Sequence, residues 1–340
     1  MGELSVTAPA LTDQFGRGHR DLRVSLTDRC SLRCTYCMPE EFADWIPGDH
    51  LLTVDEIVEV VSVAVSCGVR TIRLTGGEPL LNPYVVEIVC RIAGLPDAPE
   101  VSMTTNGLRL ARLAKPLADA GLSRVNVSLD TLNRQRFLDI TKRDRLSAVI
   151  DGIAAAGDAG LHPVKVNTIL QRGVNDDEAV PLLRHALANG WRLRFIEKMP
   201  LDAGGLWSRS TMITADEIQR DLSREFLLTP VPTRGSMPAE EFYVDGGLQI
   251  VGVIASVTRP FCGSCDRLRL TADGQLRNCL FASQETDIRA TLRDASLIEE
   301  QRRKQIAALF GVSVDAKAAG HGINDPAFLQ PARPMSAIGG

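Results

Sequence analysis

Between Asp21 and about Pro200 the sequence alternates short β-rich runs with longer helical patterns, and this rhythm narrows the choice of fold more than any other feature. The strand runs are 22–26 (LRVSL), 71–74 (TIRL), 101–105 (VSMTT), 124–129 (RVNVSL), 164–169 (VKVNTI) and 192–197 (RLRFIE). The runs between them carry apolar residues at helical spacing. The one over 53–67 opens with a Thr53/Glu56 capping box and stops at Gly68. Such alternation builds a parallel sheet covered by helices. Six units are two short of a closed eight-stranded barrel, so the expected class is α/β, a partial (open) (β/α)6 TIM-like barrel. Ligands in such folds sit at the C-terminal ends of the strands. Cys30–Cys37, Gly76-Gly77-Glu78-Pro79, Thr104-Thr105-Asn106 and Ser128-Leu129-Asp130 all follow directly on strand runs, so they should line one mouth.

After Pro200 the rhythm changes. Residues 201–212 read as loop, 241–257 as a hairpin turning at Asp245-Gly246-Gly247, and 267–281 as a second hairpin turning at Asp273-Gly274. Helices are expected at about 285–294 and 297–310. The organisation read from these shifts is a flexible N-terminal arm (1–20), the barrel (21–200), a C-terminal α+β region (201–317) and an irregular tail (318–340) ending in Gly-Gly.

Residues 1–21 lack the apolar core of a secretion signal. The most apolar stretch, 57–69, contains Glu59 and is too short to span a bilayer. A formal net charge of −4 supplies no general field for nucleic acid or anionic lipid. These features point to a cytoplasmic chain without nucleic-acid or membrane partners. In a reducing compartment its eight cysteines are not expected to form disulfides. Six of them form two tight sets. Cys30, Cys34 and Cys37 make a C-x3-C-x2-C loop motif; Cys262 and Cys265 pair with Cys279 after a thirteen-residue spacer. Three thiolates can hold one cubane iron–sulfur cluster and leave one iron open to a ligand. Structural zinc wants four closed ligands, and no fourth Cys or His lies near either set. Cys67 and Cys90 lie in apolar helical patterns and read as small core residues.

C-x3-C-x2-C with an aromatic (Tyr36) before the last cysteine, joined to Gly76-Gly77-Glu78-Pro79 after the next strand, resembles the radical S-adenosylmethionine (SAM) enzymes. The resemblance narrows to the GTP 3′,8-cyclase family of molybdenum-cofactor synthesis. It rests on LRVSLTDRCSLRCTYCMP, RLTGGEPL, TTNG, VNVSLD, VKVN, RFIEKMP, FCGSCDRLRLTADGQLRNCLF and the terminal MSAIGG. Ser31 and Lys198 depart from the family's usual residues, and neither is a cluster ligand.

The resemblance implies two [4Fe-4S] clusters, one on Cys30, Cys34 and Cys37 and one on Cys262, Cys265 and Cys279. It places Tyr36, Gly77, Ser128 and Met199 around SAM. Arg23, Arg73, Thr104, Lys165, Arg267, Leu268 and Arg269 match positions that contact GTP, and Gly339 and Gly340 form a tail that reaches toward the site. Taken singly, each of these strand cations is as easily an outward-facing residue or the partner of a carboxylate such as Glu197. As a set they suit a triphosphate, because Arg binds phosphate oxygens bidentately and a cation inside a barrel is costly to bury without an anion. The implied activity is that of a lyase. The 5′-deoxyadenosyl radical takes H3′ from GTP, the C3′ radical attacks C8, and one-electron reduction with protonation of the resulting radical gives (8S)-3′,8-cyclo-7,8-dihydroguanosine 5′-triphosphate. The family also implies a homodimer, an unidentified reductant, and a downstream cyclic pyranopterin monophosphate synthase that receives the product.

Overall fold

A computed structural model describes residues 10–38, 45–202, 205, 207–232, 234–326 and 328–339. Six parallel strands run in order: β1 (Asp21–Ser25), β2 (Thr71–Thr75), β3 (Glu100–Thr105), β4 (Arg124–Ser128), β5 (Lys165–Ile169) and β6 (Arg192–Ile196). The intervening helices are α1 (Val54–Ser66), α2 (Val85–Ala93), α3 (Leu110–Asp119), α4 (Arg134–Thr141), α5 (Leu146–Asp158) and α6 (Ala179–Ala188). The capping box at α1 is formed: the Thr53 hydroxyl accepts from the Glu56 N–H, and the Glu56 carboxylate accepts from the Thr53 N–H. Alternation along each strand decides the layers. Leu22, Val24, Ile72 and Leu74 are fully buried on the helix side, each burial contributing roughly 2 kcal/mol. Arg23 and Arg73 face the opposite way, into the barrel.

The C-terminal region extends this sheet rather than starting another. Helix α7 (Ala215–Leu222) precedes β7 (Leu228–Pro230), β8 (Glu240–Val244) and β9 (Ile250–Ile254). Then come β10 (Arg267–Leu270), β11 (Gln275–Arg277), β12 (Thr286–Asp287), α8 (Ile288–Leu292), α9 (Glu299–Asp315) and α10 (Met335–Ile338). The twelve strands form one sheet in the order β12-β11-β10-β1-β2-β3-β4-β5-β6-β9-β8-β7. Both expected hairpins are present, β8–β9 and β10–β11. Their inner strands pair parallel to the barrel edges, β9 on β6 and β10 on β1. Glu197 ties this junction. Its buried carboxylate accepts from the N–H groups of Ala215, Val257 and Thr258 and from the Thr258 hydroxyl, so it is no partner for the barrel arginines.

Three expectations change. The segment expected as a flexible arm over 1–20 is packed from residue 10 onward. A bridge joins Thr12 to Gly18, and Leu11, Asp13, Arg17 and His19 are buried. Cys90 lies on the exposed face of α2, whereas Cys67 is buried; an isolated cysteine fits either face of an amphipathic helix. The expected helix at 285–294 is shorter, because Thr286 and Asp287 pair with β11 before α8 begins. No helix among the described residues is long and apolar enough to cross a membrane.

Candidate active site

The loop after β1 carries the first cysteine set. The N–H groups of Cys37 and Met38 both donate to the Cys34 carbonyl, forming the turn that brings Cys34 and Cys37 together. The N–H groups of Arg33 and Thr35 donate to the carbonyls of Thr141 and Ile140, which pins the loop to the end of α4. Tyr36 Oη donates to Asp130 Oδ2 at 2.6 Å, and the Ile169 N–H donates to Asp130 Oδ1, tying the loop to the ends of β4 and β5. Asn106 Nδ2 donates to Ser31 Oγ at 3.0 Å and lies 3.7 Å from Cys30 Sγ. Gly77 is required by close approach: a Cβ there would overlap the carbonyl oxygens of Asp28 and Arg29. Glu78 is a structural latch, its buried carboxylate accepting from the Leu80 and Asn106 N–H groups and the Thr105 hydroxyl.

The second set lies across the sheet. Cys262 opens a 3-10 turn, Cys265 ends it, and Cys279 follows β11. All three line one cavity of about 460 Å³.

Between the two sets runs a row of cations fixed by strand register. Arg269 on β10 is in register with Arg23 on β1, which is in register with Arg73 on β2. Further across the same face, Thr104, Asn126, Lys165 and Arg192 are in register, and then Ser128, Asn167 and Arg194. Burial, with Arg269 and Arg73 as like-charged neighbours, holds the Arg23 guanidinium well below its ordinary pKa. Burial and Arg267 bring Arg269 down to about 10, and burial with Arg194 beside it brings Lys165 down to about 7. The Nε atoms of Arg23 and Arg267 are buried with no hydrogen-bond partner among the described residues. Crowded cations with unused donors have the charge and hydrogen-bonding capacity to receive a polyanion.

Arg267 also stacks on Phe261, 4.8 Å from its ring centroid. Leu268 points to the opposite face, and its side chain is wholly within the helix-side core. Met199 packs with Met212, Val257, Ile323 and Trp207 in a small apolar cluster between barrel and C-terminal region. At the end of the chain, Arg333 pairs with Asp273 and Glu285. From there α10 buries Ser336, Ala337 and Ile338. Ser25 Oγ donates to the Ile338 carbonyl, and Arg269 donates to the Gly339 carbonyl. Gly340 lies outside the described residues.

A family model for the radical SAM superfamily matches residues 24–186, and one for Molybdenum Cofactor Synthesis C matches 191–323. A GTP 3′,8-cyclase of Streptomyces coelicolor is 56% identical over 336 residues, covering 98% of this chain and 97% of that protein. The chain belongs to the GTP 3′,8-cyclase family. A second relative, GTP 3′,8-cyclase 2 of Mycobacterium tuberculosis, is 52% identical over 98% of this chain and 93% of its own length. Among solved structures, Streptococcus suis SuiB bound to S-adenosylmethionine aligns over 92% of this chain and 67% of its own, with a TM-score of 0.59 at 11% identity. Native anSMEcpe with bound AdoMet aligns over 78% and 77%, with a TM-score of 0.53 at 14% identity. These two share the fold.

The cyclase cysteines fit iron–sulfur clusters. Among the described residues no group of three or more His, Cys, Asp or Glu side chains is arranged around a single metal ion; a cubane needs thiolates spread over a wider edge. Burial pushes the Cys37 thiol up to about 12 and the Cys34 thiol up as well, so neither would ionise without iron to compensate. At Cys265 burial is outweighed by Lys317 and Arg267, and its thiol is lowered.

Several cyclase residues at the site escaped sequence reading. Arg194 is buried and donates to Asn167 Oδ1 and Asn126 Oδ1, both at 3.0 Å; burial brings it down to about 9. Its signal was available, since Arg192 and Arg194 alternate on one strand as Arg267 and Arg269 do. Asp13, Arg17, His19, Lys317 and Arg333 carried no comparable signal.

Proposed function

We infer that this chain is the lyase that cyclises GTP to (8S)-3′,8-cyclo-7,8-dihydroguanosine 5′-triphosphate, the first step of molybdenum-cofactor synthesis, using SAM and two [4Fe-4S] clusters. The observation that carries this reading is the Arg269–Arg23–Arg73 register row lying between two cysteine triads. When bound, SAM at the reduced first cluster supplies a radical able to take a hydrogen atom from an unactivated ribose carbon.

The chain's own contribution is orientation and exclusion. Arg23, Arg73, Lys165, Arg267 and Arg269, with Arg194 added, receive the triphosphate, and Thr104 lies among them. The backbone of Leu268 is the part of that residue within reach of a ligand. Tyr36, Gly77, Ser128 and Met199 surround SAM at the barrel mouth. Cys262, Cys265 and Cys279 would hold the second cluster, which would supply a binding position for the guanine base. Anchoring the phosphates at one end and the base at the other would fix the ribose between them, which is catalysis by placement. Gly339 and Gly340 then close the site, since residues without Cβ atoms thread beside a nucleotide. We place the barrel at 21–200 and the C-terminal region at 201–317, in a cytoplasmic homodimer that passes its product to a cyclic pyranopterin monophosphate synthase.

Anaerobic turnover with GTP deuterated at C3′ tests this. Deuterium should appear in 5′-deoxyadenosine, and ATP should give no cyclised product. Label arriving from C2′ or C4′ instead, or from no ribose position, would overturn the assignment.

A further inference from the structure

The N-terminal turn and the residues after α9 meet behind the second cysteine set in a closed hydrogen-bond circuit. Lys317 Nζ lies 2.7 Å from the Arg267 carbonyl oxygen, 3.7 Å from Cys265 Sγ and 3.5 Å from His19 Nδ1. An ammonium has three N–H donors, and three acceptors surround this one. With Nδ1 accepting, His19 carries its proton on Nε2, which faces Asp13 Oδ2 at 3.1 Å. Asp13 Oδ2 also accepts from Arg17 Nε at 2.6 Å, while Oδ1 accepts from the N–H groups of Phe15 and Arg17. Arg17 completes the circuit by donating to the carbonyls of Cys262, Ala318 and Ala319. Lys317, His19, Asp13 and Arg17 are all buried.

Such an arrangement is expensive unless it serves something. Four ionisable side chains are taken out of water, and replacing buried ionic groups with apolar ones is often neutral or stabilising. The circuit touches two of the three cysteines of one set, Cys262 through its carbonyl and Cys265 through its sulfur. Donors aimed at cluster sulfurs stabilise the added electron, so they raise the reduction potential.

We propose that Lys317 is a positioning residue of the C-terminal iron–sulfur cluster, held by the His19–Asp13–Arg17 turn so that its ammonium donates to the Cys265 sulfur and raises that cluster's reduction potential. This rests on the reading that Cys262, Cys265 and Cys279 hold a [4Fe-4S] cluster. The N-terminal segment is thereby part of the electron-accepting site although it supplies no ligand.

The test uses full-length protein carrying C30A/C34A/C37A, reconstituted anaerobically so that only the C-terminal cluster remains, with reduction followed by EPR against a poised mediator series. Four iron and four sulfide per chain check the cluster reading first; their absence in this background defeats that reading rather than the role of Lys317. With the cluster loaded, Lys317→Gln and Lys317→Met should move the midpoint to a more negative value. At fixed ambient potential the reduced-to-oxidised ratio should fall by about tenfold, equivalent to about 59 mV for one electron. Lys317→Arg should fall between these and the parent. Asp13→Asn, which leaves Lys317 in place but unties His19 and Arg17, should give a smaller shift of the same sign. If Lys317→Met fails to load, the Arg and Asn variants decide. An unchanged midpoint in loaded Lys317→Gln, whatever its melting temperature, would overturn the proposal.

Discussion

Arg269, on the strand that follows the second cysteine pair, donates from its guanidinium to the carbonyl oxygen of Gly339, near the end of the chain. A cation of the buried arginine row is therefore also the seat of the tail. Gly339 adopts φ +89°, and a Cβ there would overlap Ser25 Oγ. Gly339→Val should reduce cyclised product by about 100-fold or more, the scale of a small misplacement at a reacting centre, while both clusters stay loaded. Adding Ser25→Ala removes the overlap but not the backbone strain, so Gly339→Ala/Ser25→Ala should recover only part of the activity lost by Gly339→Ala. Turnover assays with iron quantitation check both.

Arg333 anchors the same tail upstream, with Nη1 and Nη2 on the two Asp273 oxygens at 3.0 and 2.9 Å and Nε on Glu285 at 3.0 Å. Losing charge-assisted bonds worth about 1.5–3 kcal/mol each should unseat α10. Arg333→Gln is expected to lower kcat about tenfold and to open residues 331–339 to limited proteolysis. Arg333→Lys should not restore wild-type behaviour, because a single ammonium cannot replace the fork.

Arg194 should separate binding from folding. Its charge is buried against two asparagine oxygens, and an unpaired buried cation contributes little to the ligand-free fold. Arg194→Met should change the melting temperature by no more than a few degrees and raise the KM for GTP by roughly 10–100-fold, the equivalent of one or two charged hydrogen bonds. Calorimetry of unfolding beside steady-state kinetics reads both quantities.

Metal content should divide between the two cysteine sets. On the proposed reading that each set holds its own cluster, Cys30→Ala/Cys34→Ala/Cys37→Ala is expected to lose about half the iron and all SAM cleavage. The Cys262/Cys265/Cys279 triple alanine variant should also lose about half the iron, yet still cleave some SAM without cyclised product. Iron and sulfide assays with 5′-deoxyadenosine quantitation distinguish these outcomes.

Asp13 gives a pH signature. Burial alone would raise its carboxyl, but the backbone and side chain of Arg17, with His19, hold it at about 2 against an ordinary 3.8. A depressed folded-state value means stability that is complete above about pH 4 and is lost as pH falls toward 2. The difference of nearly two units corresponds to about 2 kcal/mol. Metal-free Asp13→Asn should melt below wild type at pH 6, and the gap should narrow at pH 3. A gap that widens with acid would contradict this.

The local order of the chain was legible in its sequence. Six strand runs, the Thr53/Glu56 cap, both hairpin turns and the two cysteine sets all follow from periodicity and turn chemistry, which act over a few residues. Alternation along a strand left open which way Arg23, Arg73 and Arg269 face, since each read singly as outward-facing as easily as inward-facing. Register across strands did not follow, because it depends on pairing partners far apart in the chain. Only the folded sheet sets Arg269 beside Arg23, joins β9 to β6 and turns Leu268 into the core. The same holds for residues whose meaning comes from long-range hydrogen bonds. Asp13, Arg17 and His19 look like a polar arm until Lys317 and Cys262 close around them. A hydrophilic segment reads as solvated when no partner is in view, and tertiary structure supplies the partner.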